Sequence, residues 1–175
     1  QHKPTGNRDP LLSHSFMQNV NLSNATFAHT DWTDAGANNC IFREAKFIFT
    51  IVNRTPFYRG DFSHAVFQRL NWDHTSFLES NMTYATFDSG AADNGSLDGS
   101  DLSYATLTNL SMREMSGEGV KAINTTFSNV YSYEMVFINA VMDSAKFING
   151  SIFQSNTMRG SKIRYAEMTN FRADG

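Results

Sequence analysis

From Leu12 onward an apolar residue recurs every fifth position, almost without interruption. The register reads Leu12, Met17, Leu22, Phe27, Trp32, Ala37, Phe42, Phe47, Val52, Phe57, Phe62, Phe67, Trp72, Phe77, Met82 and Phe87. It continues through Ala92, Leu97, Leu102, Leu107, Met112, Gly117, Ala122, Phe127, Ser132, Phe137, Met142, Phe147 and Ile152. One added residue between Ile152 and Met158 then shifts the phase to Met158, Ile163 and Met168. An amphipathic helix repeats its apolar face roughly every 3.6 residues and a strand about every 2. Neither period matches. A chain that turns a corner once per five residues points every one of these centres inward.

Two residues before each centre runs a second column of small side chains, including Ala25, Ala35, Cys40, Ala45, Gly60, Ala65, Ser80, Ala85, Gly95, Ser100 and Ala105. It turns bulky at Met115, Val120 and Val130, in the repeats whose centres shrink to Gly117, Ala122 and Ser132. The two columns trade volume. Residues twenty apart also match: Phe27, Phe47, Phe67, Phe87, Leu107, Phe127 and Phe147 form one series. That correlation favours four repeats per coil over three.

Stretches such as Asn24-Ala25-Thr26-Phe27-Ala28, Gly60-Asp61-Phe62-Ser63-His64 and Ser100-Asp101-Leu102-Ser103-Tyr104 carry a resemblance to the pentapeptide-repeat family. The resemblance implies an all-β fold: a right-handed quadrilateral parallel β-helix of about eight coils at roughly 4.8 Å each. It covers residues 12–171, between a polar leader at 1–11 and a short tail at 172–175. Two stretches look weak. Asp88 to Ser96 is rich in Gly, Ala and Asp, and Ser116 to Ala122 has small centres, so irregular or protruding loops are expected at both.

The composition excludes several function classes. Fifteen Phe against two Trp, with abundant Asn, Ser and Thr, suits short strands and turns. A net charge of −3 gives no global electrostatic case for nucleic-acid binding. Cys40 is the single cysteine, so no internal disulfide forms, which fits a reducing compartment. It lies in the small inward column, where a thiol is inert. The five histidines show no metal-type spacing, and no glycine-rich phosphate loop occurs. No catalytic residues, cofactor or metal are expected. Eight Asn-X-Ser/Thr sequons follow from the repeat's own composition.

The position two after each centre points outward. There Arg54, Arg59, His64, Arg69 and His74 make a basic belt. The following coils carry Asp88, Asp93, Asp98, Asp101, Glu114 and Glu118. Tyr84 and Tyr104 are twenty apart with His64 one coil below, and Ile48, Phe49, Ile51, Tyr58, Leu78, Tyr131, Tyr133, Val136 and Ile138 add outward apolar surface. Exposed Tyr and Arg favour a protein interface. The candidate surface is therefore Tyr84, Tyr104, His64, Arg54, Arg59, Arg69, Tyr131 and Tyr133, and the expected partner is a protein.

Family resemblance implies two settings for such a surface, beside a free-standing cyanobacterial-type or other bacterial scaffold of unknown role. One is the topoisomerase-protecting group, thought to mimic duplex DNA through an acidic rod; the basic belt departs from it. The other is the β-helix domain of a secreted bacterial effector, suggested by the Gln1 start and the absence of a capping helix. The corresponding locations are the bacterial cytoplasm and the host cytosol.

Overall fold

The computed structural model describes residues 12–149, 152–154 and 157–170. The leader, the tail and part of the phase shift lie outside the described residues. Among the described residues fourteen short strands follow one another: β1 (Phe16–Gln18), β2 (Thr26–Ala28), β3 (Gly36–Asn38), β4 (Lys46–Ile48), β5 (Pro56–Tyr58), β6 (Val66–Asn71) and β7 (Ser76–Leu78), then β8 (Thr86–Asp93), β9 (Thr106–Arg113), β10 (Thr126–Ser128), β11 (Tyr131–Tyr133), β12 (Lys146–Ile148), β13 (Ile152–Gln154) and β14 (Glu167–Thr169). All named pairings are parallel. On one side Phe27 pairs with Phe47, Phe67, Phe87, Leu107, Phe127, Phe147 and Met168 in turn. Those seven successive pairings mark seven turns of a four-sided β-solenoid, in agreement with the fold expected from the repeat.

The centres fill the interior. Phe42, Phe47, Phe62 and Trp32 are completely buried, and Phe47, Phe67 and Phe87 stack with ring centroids 5.0 and 4.4 Å apart. Each such ring contributes on the order of 2–3 kcal/mol relative to exposure. Volume trading is visible in atoms. A Cβ on Gly60 would lie 2.5 Å from Phe62 Cε2, because that ring folds back over the glycine.

Corners recur with the same period. At the position two after each centre the backbone is left-handed, with φ between 51 and 64° at His14, Asn19, Asn24 and every fifth non-glycine residue as far as Asn149, then at Tyr165 and Asn170 beyond the phase shift. Gly99, Gly119 and Gly160 occupy the same position. A left-handed residue with a Cβ costs roughly 1–2 kcal/mol, and most are held by an amide hydrogen bond to the next coil, as from Tyr84 N to Ser103 O at 3.1 Å.

Hydroxyls in the small inward column also tie coils together. Thr50 Oγ1 donates to Phe27 O at 2.9 Å, Thr55 to Trp32 O at 2.6 Å and Thr125 to Leu102 O at 2.7 Å. Thr75 Oγ1 donates to Val52 O and accepts from Thr55 N. Thr75→Val keeps the shape and removes both bonds. It is expected to cost about 1–3 kcal/mol in urea unfolding, with Thr75→Ser closer to the parent.

Two expectations are corrected. No loop protrudes at Asp88 to Ser96 or Ser116 to Ala122. β8 runs unbroken against β6 and β9, and bridges join Ser96, Ser116 and Val136. Neighbouring side chains supply the missing volume: Trp72 stacks on Phe87 at 5.5 Å, and a Cβ on Gly117 would meet Phe137 Cδ1 at 2.8 Å. What remains near Ala122 is an apolar void of about 20 Å³, about the space of one water. The added residue also enters earlier than expected. Ser128 pairs with Ile148, whereas Tyr131 pairs with Ile152 and Ser132 with Phe153. The shift therefore falls between Ile148 and Ile152, and Phe153 takes the centre register.

Candidate functional site

The basic belt lies on the corners, and successive members occupy different corners. Arg54, Arg59, His64 and Arg69 therefore radiate from four edges of the rod and form no single surface. All four touch a neighbouring coil, Arg54 and Arg59 through hydrogen bonds and Arg69 and His64 through ring contacts. Arg54 makes a two-pronged pair with Asp34, Nε to Oδ1 at 2.6 Å and Nη2 to Oδ2 at 2.8 Å. Arg59 Nε reaches Glu79 at 2.8 Å, with its guanidinium 4.6 Å from the Tyr58 ring centroid. Arg69 lies 4.9 Å over the Phe49 ring, which stacks on His29 at 5.0 Å.

The hydrogen bond and charge of Arg54 hold Asp34 below the ordinary aspartate range, and those of Arg164 do the same for Asp143. A carboxylate with a lowered folded pKa adds stability that is complete above its unfolded pKa. That stability is lost as pH falls through the folded value. Arg54→Gln is thus expected to lower stability slightly at neutral pH, since exposed pairs contribute little, and to converge on the parent as pH falls through the folded pKa of Asp34. Acid titration followed by circular dichroism measures it.

A different corner gathers the aromatic candidates. His64 stacks on Tyr84 at 4.9 Å with 4° between planes, and Tyr84 on Tyr104 at 4.9 Å with 6°. Both tyrosines are about half exposed, at 51% and 50%. Below them an open groove of about 520 Å³ is lined by Asn24, Thr26, Glu44, Lys46, His64 and Val66. Tyr131 and Tyr133 are exposed on β11, on another side of the rod, where a hydrogen bond to Glu134 raises the Tyr133 pKa. Of the remaining outward apolar residues Phe49 is exposed, while Ile48, Ile51, Tyr58, Leu78, Val136 and Ile138 are half-buried. Cys40 is buried, its Sγ against Asn38 O at 3.4 Å.

Charge is banded along the axis. Residues 43–69 carry Arg43, Lys46, Arg54, Arg59 and Arg69 against Glu44 and Asp61. Residues 70–120 carry eight carboxylates against Arg113 alone. Among the described residues no group of His, Cys, Asp and Glu is placed to hold a metal ion, and no helix is long and apolar enough to cross a membrane.

The model of the family described as pentapeptide repeats matches residues 17–55 and 61–90, in eight copies. Those residues form the first half of the ladder traced above, which continues to Met168. Over those residues this chain is built of pentapeptide repeats. Solved structures similar to this pentapeptide-repeat chain include a trypsin-treated variant of QnrB1, described as a plasmid-mediated fluoroquinolone resistance protein. It is 12% identical with a TM-score of 0.57, over 91% of this chain and 84% of that one. HetL, a pentapeptide-repeat protein involved in heterocyst differentiation regulation in the cyanobacterium Nostoc, is 19% identical with a TM-score of 0.30, over 93% and 90%. Only the first superposes well enough to compare, and at that identity the likeness is one of fold alone. No curated protein matches the sequence.

The left-handed corners were not foreseen from the sequence. Their signal was present in the outward column, where Asn19, Asn24, Asn39, Asn94, Asn109, Asn124 and Asn129 stand with Gly99 and Gly119. Asn and Gly are the residues that enter that conformation most readily.

Proposed function

We propose that the rod is a non-catalytic protein-binding scaffold whose recognition ridge is the stack of His64, Tyr84 and Tyr104. The observation that carries this reading is the half exposure of two tyrosines already locked in place by stacking and by hydrogen-bonded corners. Side chains ordered before association lose little entropy on binding, and Tyr is favoured at interface hot spots. The test compares proteins retained by the parent with those retained by a Tyr84→Asn/Tyr104→Asn double variant, since Asn keeps the left-handed corner. Selective loss of retained protein at an unchanged melting temperature supports the ridge. An unchanged retained set removes it.

A second reading follows from the acidic band at residues 70–120: mimicry of duplex DNA toward a type II topoisomerase. Charge neutralisation of Asp88, Asp93, Asp98 and Asp101 abolishes protection of the enzyme from poisoning if this reading holds. Failure of the intact protein to affect the enzyme eliminates it.

A further inference from the structure

The corner that carries Tyr84 and Tyr104 bears one more tyrosine. Its next rungs are Asn124 and Ser144, and then Tyr165, which is 86% exposed. Backbone bonds fix this order: Tyr104 N donates to Ile123 O, Asn124 N to Asp143 O and Ser144 N to Arg164 O. Three coil steps of about 4.8 Å put the two tyrosine rungs roughly 14 Å apart. Between them stand only two short side chains. The edge of the rod is notched there, with a tyrosine at each end and a polar floor.

The sign of the surface also changes at this point. The acidic band ends at Glu118. Beside the notch, Lys121, Val141 and Lys162 form one outward column, joined by successive bridges. Both lysines are exposed, and neither is within ion-pair distance of a carboxylate among the described residues. Two other local cations are engaged: Arg164 with Asp143, and Lys146 with Glu167 at 3.3 Å.

We propose that this notch receives an aromatic side chain carried on an acidic segment of a protein partner. The inference rests on the protein-binding reading and names the partner's chemistry. A planar side chain fits a gap that is several ring thicknesses wide, and the free lysines complement flanking carboxylates. A nucleic-acid strand fits less well. Two free lysines neutralise about two phosphates, too few for strong binding at physiological salt. A strand laid along the rod also meets the acidic band.

The probe is a labelled eight-residue glutamate peptide with one central tryptophan, followed by fluorescence anisotropy with the intact chain. Saturable binding is expected, at least tenfold tighter than for the lysine counterpart or for a glutamate peptide with alanine in place of tryptophan. Tyr165→Asn and Lys121→Glu should each weaken it at least tenfold at an unchanged melting temperature. Absence of saturable binding, equal binding of the lysine peptide, indifference to Tyr165→Asn, or tighter binding of an eight-nucleotide oligothymidylate each overturns the proposal. Partner retention that depends on Tyr84 and Tyr104, together with no peptide binding, leaves the ridge standing and removes the notch alone. Peptide binding with retention indifferent to Tyr84 and Tyr104 supports the notch and removes the ridge.

Discussion

Phe67→Ala is expected to cost about 3–5 kcal/mol and to divide the unfolding of the rod into two steps. Phe67 is almost wholly buried. Its ring stacks on Phe47 at 5.0 Å below and Phe87 at 4.4 Å above, with Phe62 and Phe77 edge-on or tilted at 5.9 and 6.2 Å. Removing it opens a cavity between rings that are tied to their own coils and cannot close over it. In a solenoid each coil stabilises only its neighbours, so loss at one rung uncouples the two halves. The two tryptophans report separately: Trp32 lies below the break and Trp72 above it. Urea unfolding of the variants Trp32→Phe and Trp72→Phe, each carrying Phe67→Ala, should give fluorescence midpoints that no longer coincide. Phe27→Ala, at a half-buried rung with fewer rings above and below, should cost less and leave one transition. Tyr165→Asn, on an exposed corner, should stay within about 0.5 kcal/mol of the parent. Coincident midpoints with a loss below 1 kcal/mol for Phe67→Ala are incompatible with a continuous stack.

The features that were legible in the sequence are those that repeat every five or twenty residues. The centres from Leu12 to Phe147 could be listed because each must fill one side of the same square, and the Phe27 to Phe147 series because coils stack in register. Features decided by a neighbouring coil were not legible. Nothing at Gly117 shows that Phe137 occupies its space, so a small centre looked like a break. Ile152 and Phe153 are adjacent and both apolar, so the phase shift was placed one register late; strand pairing with Tyr131 and Ser132 resolves it. For the site, the His64, Tyr84 and Tyr104 column was legible from its spacing alone. The belt residues were recognised as exposed but not as paired, because Arg54 finds Asp34 only once the coil brings positions twenty apart together. Tyr165 is not legible from that spacing, since it lies beyond the phase shift, where counting by twenties from Tyr104 misses it. Local periodicity fixes what points in or out. The partner of each outward residue depends on the coil.

Gly95→Ala is expected to destabilise by about 3 kcal/mol although alanine is ordinarily the better residue at a non-turn position. The reason is room. A Cβ at Gly95 would lie 2.4 Å from Thr75 O and 3.3 Å from Met115 Cε. The methionine can move; the carbonyl cannot, since it accepts the Ser96 amide at 3.1 Å in the inter-coil ladder. The coil must therefore lift off its neighbour and lose that bond. Gly90 is in the same position against Leu70 O, also at 2.4 Å. Gly119 separates this cause from backbone conformation: a Cβ there meets nothing within 4 Å, but φ is +66°. Gly119→Ala pays only the left-handed penalty of roughly 1–2 kcal/mol, and Gly119→Asn less. For a chain of this size 1 kcal/mol moves the melting temperature by about 2–4 °C. Scanning calorimetry should therefore show Gly95→Ala lowered by about 6–12 °C and Gly119→Asn by about 2 °C or less. If Gly95→Ala melts with the parent, the coils are farther apart at this level than the ladder requires. The close packing that replaces a loop between Asp88 and Ser96 is then wrong.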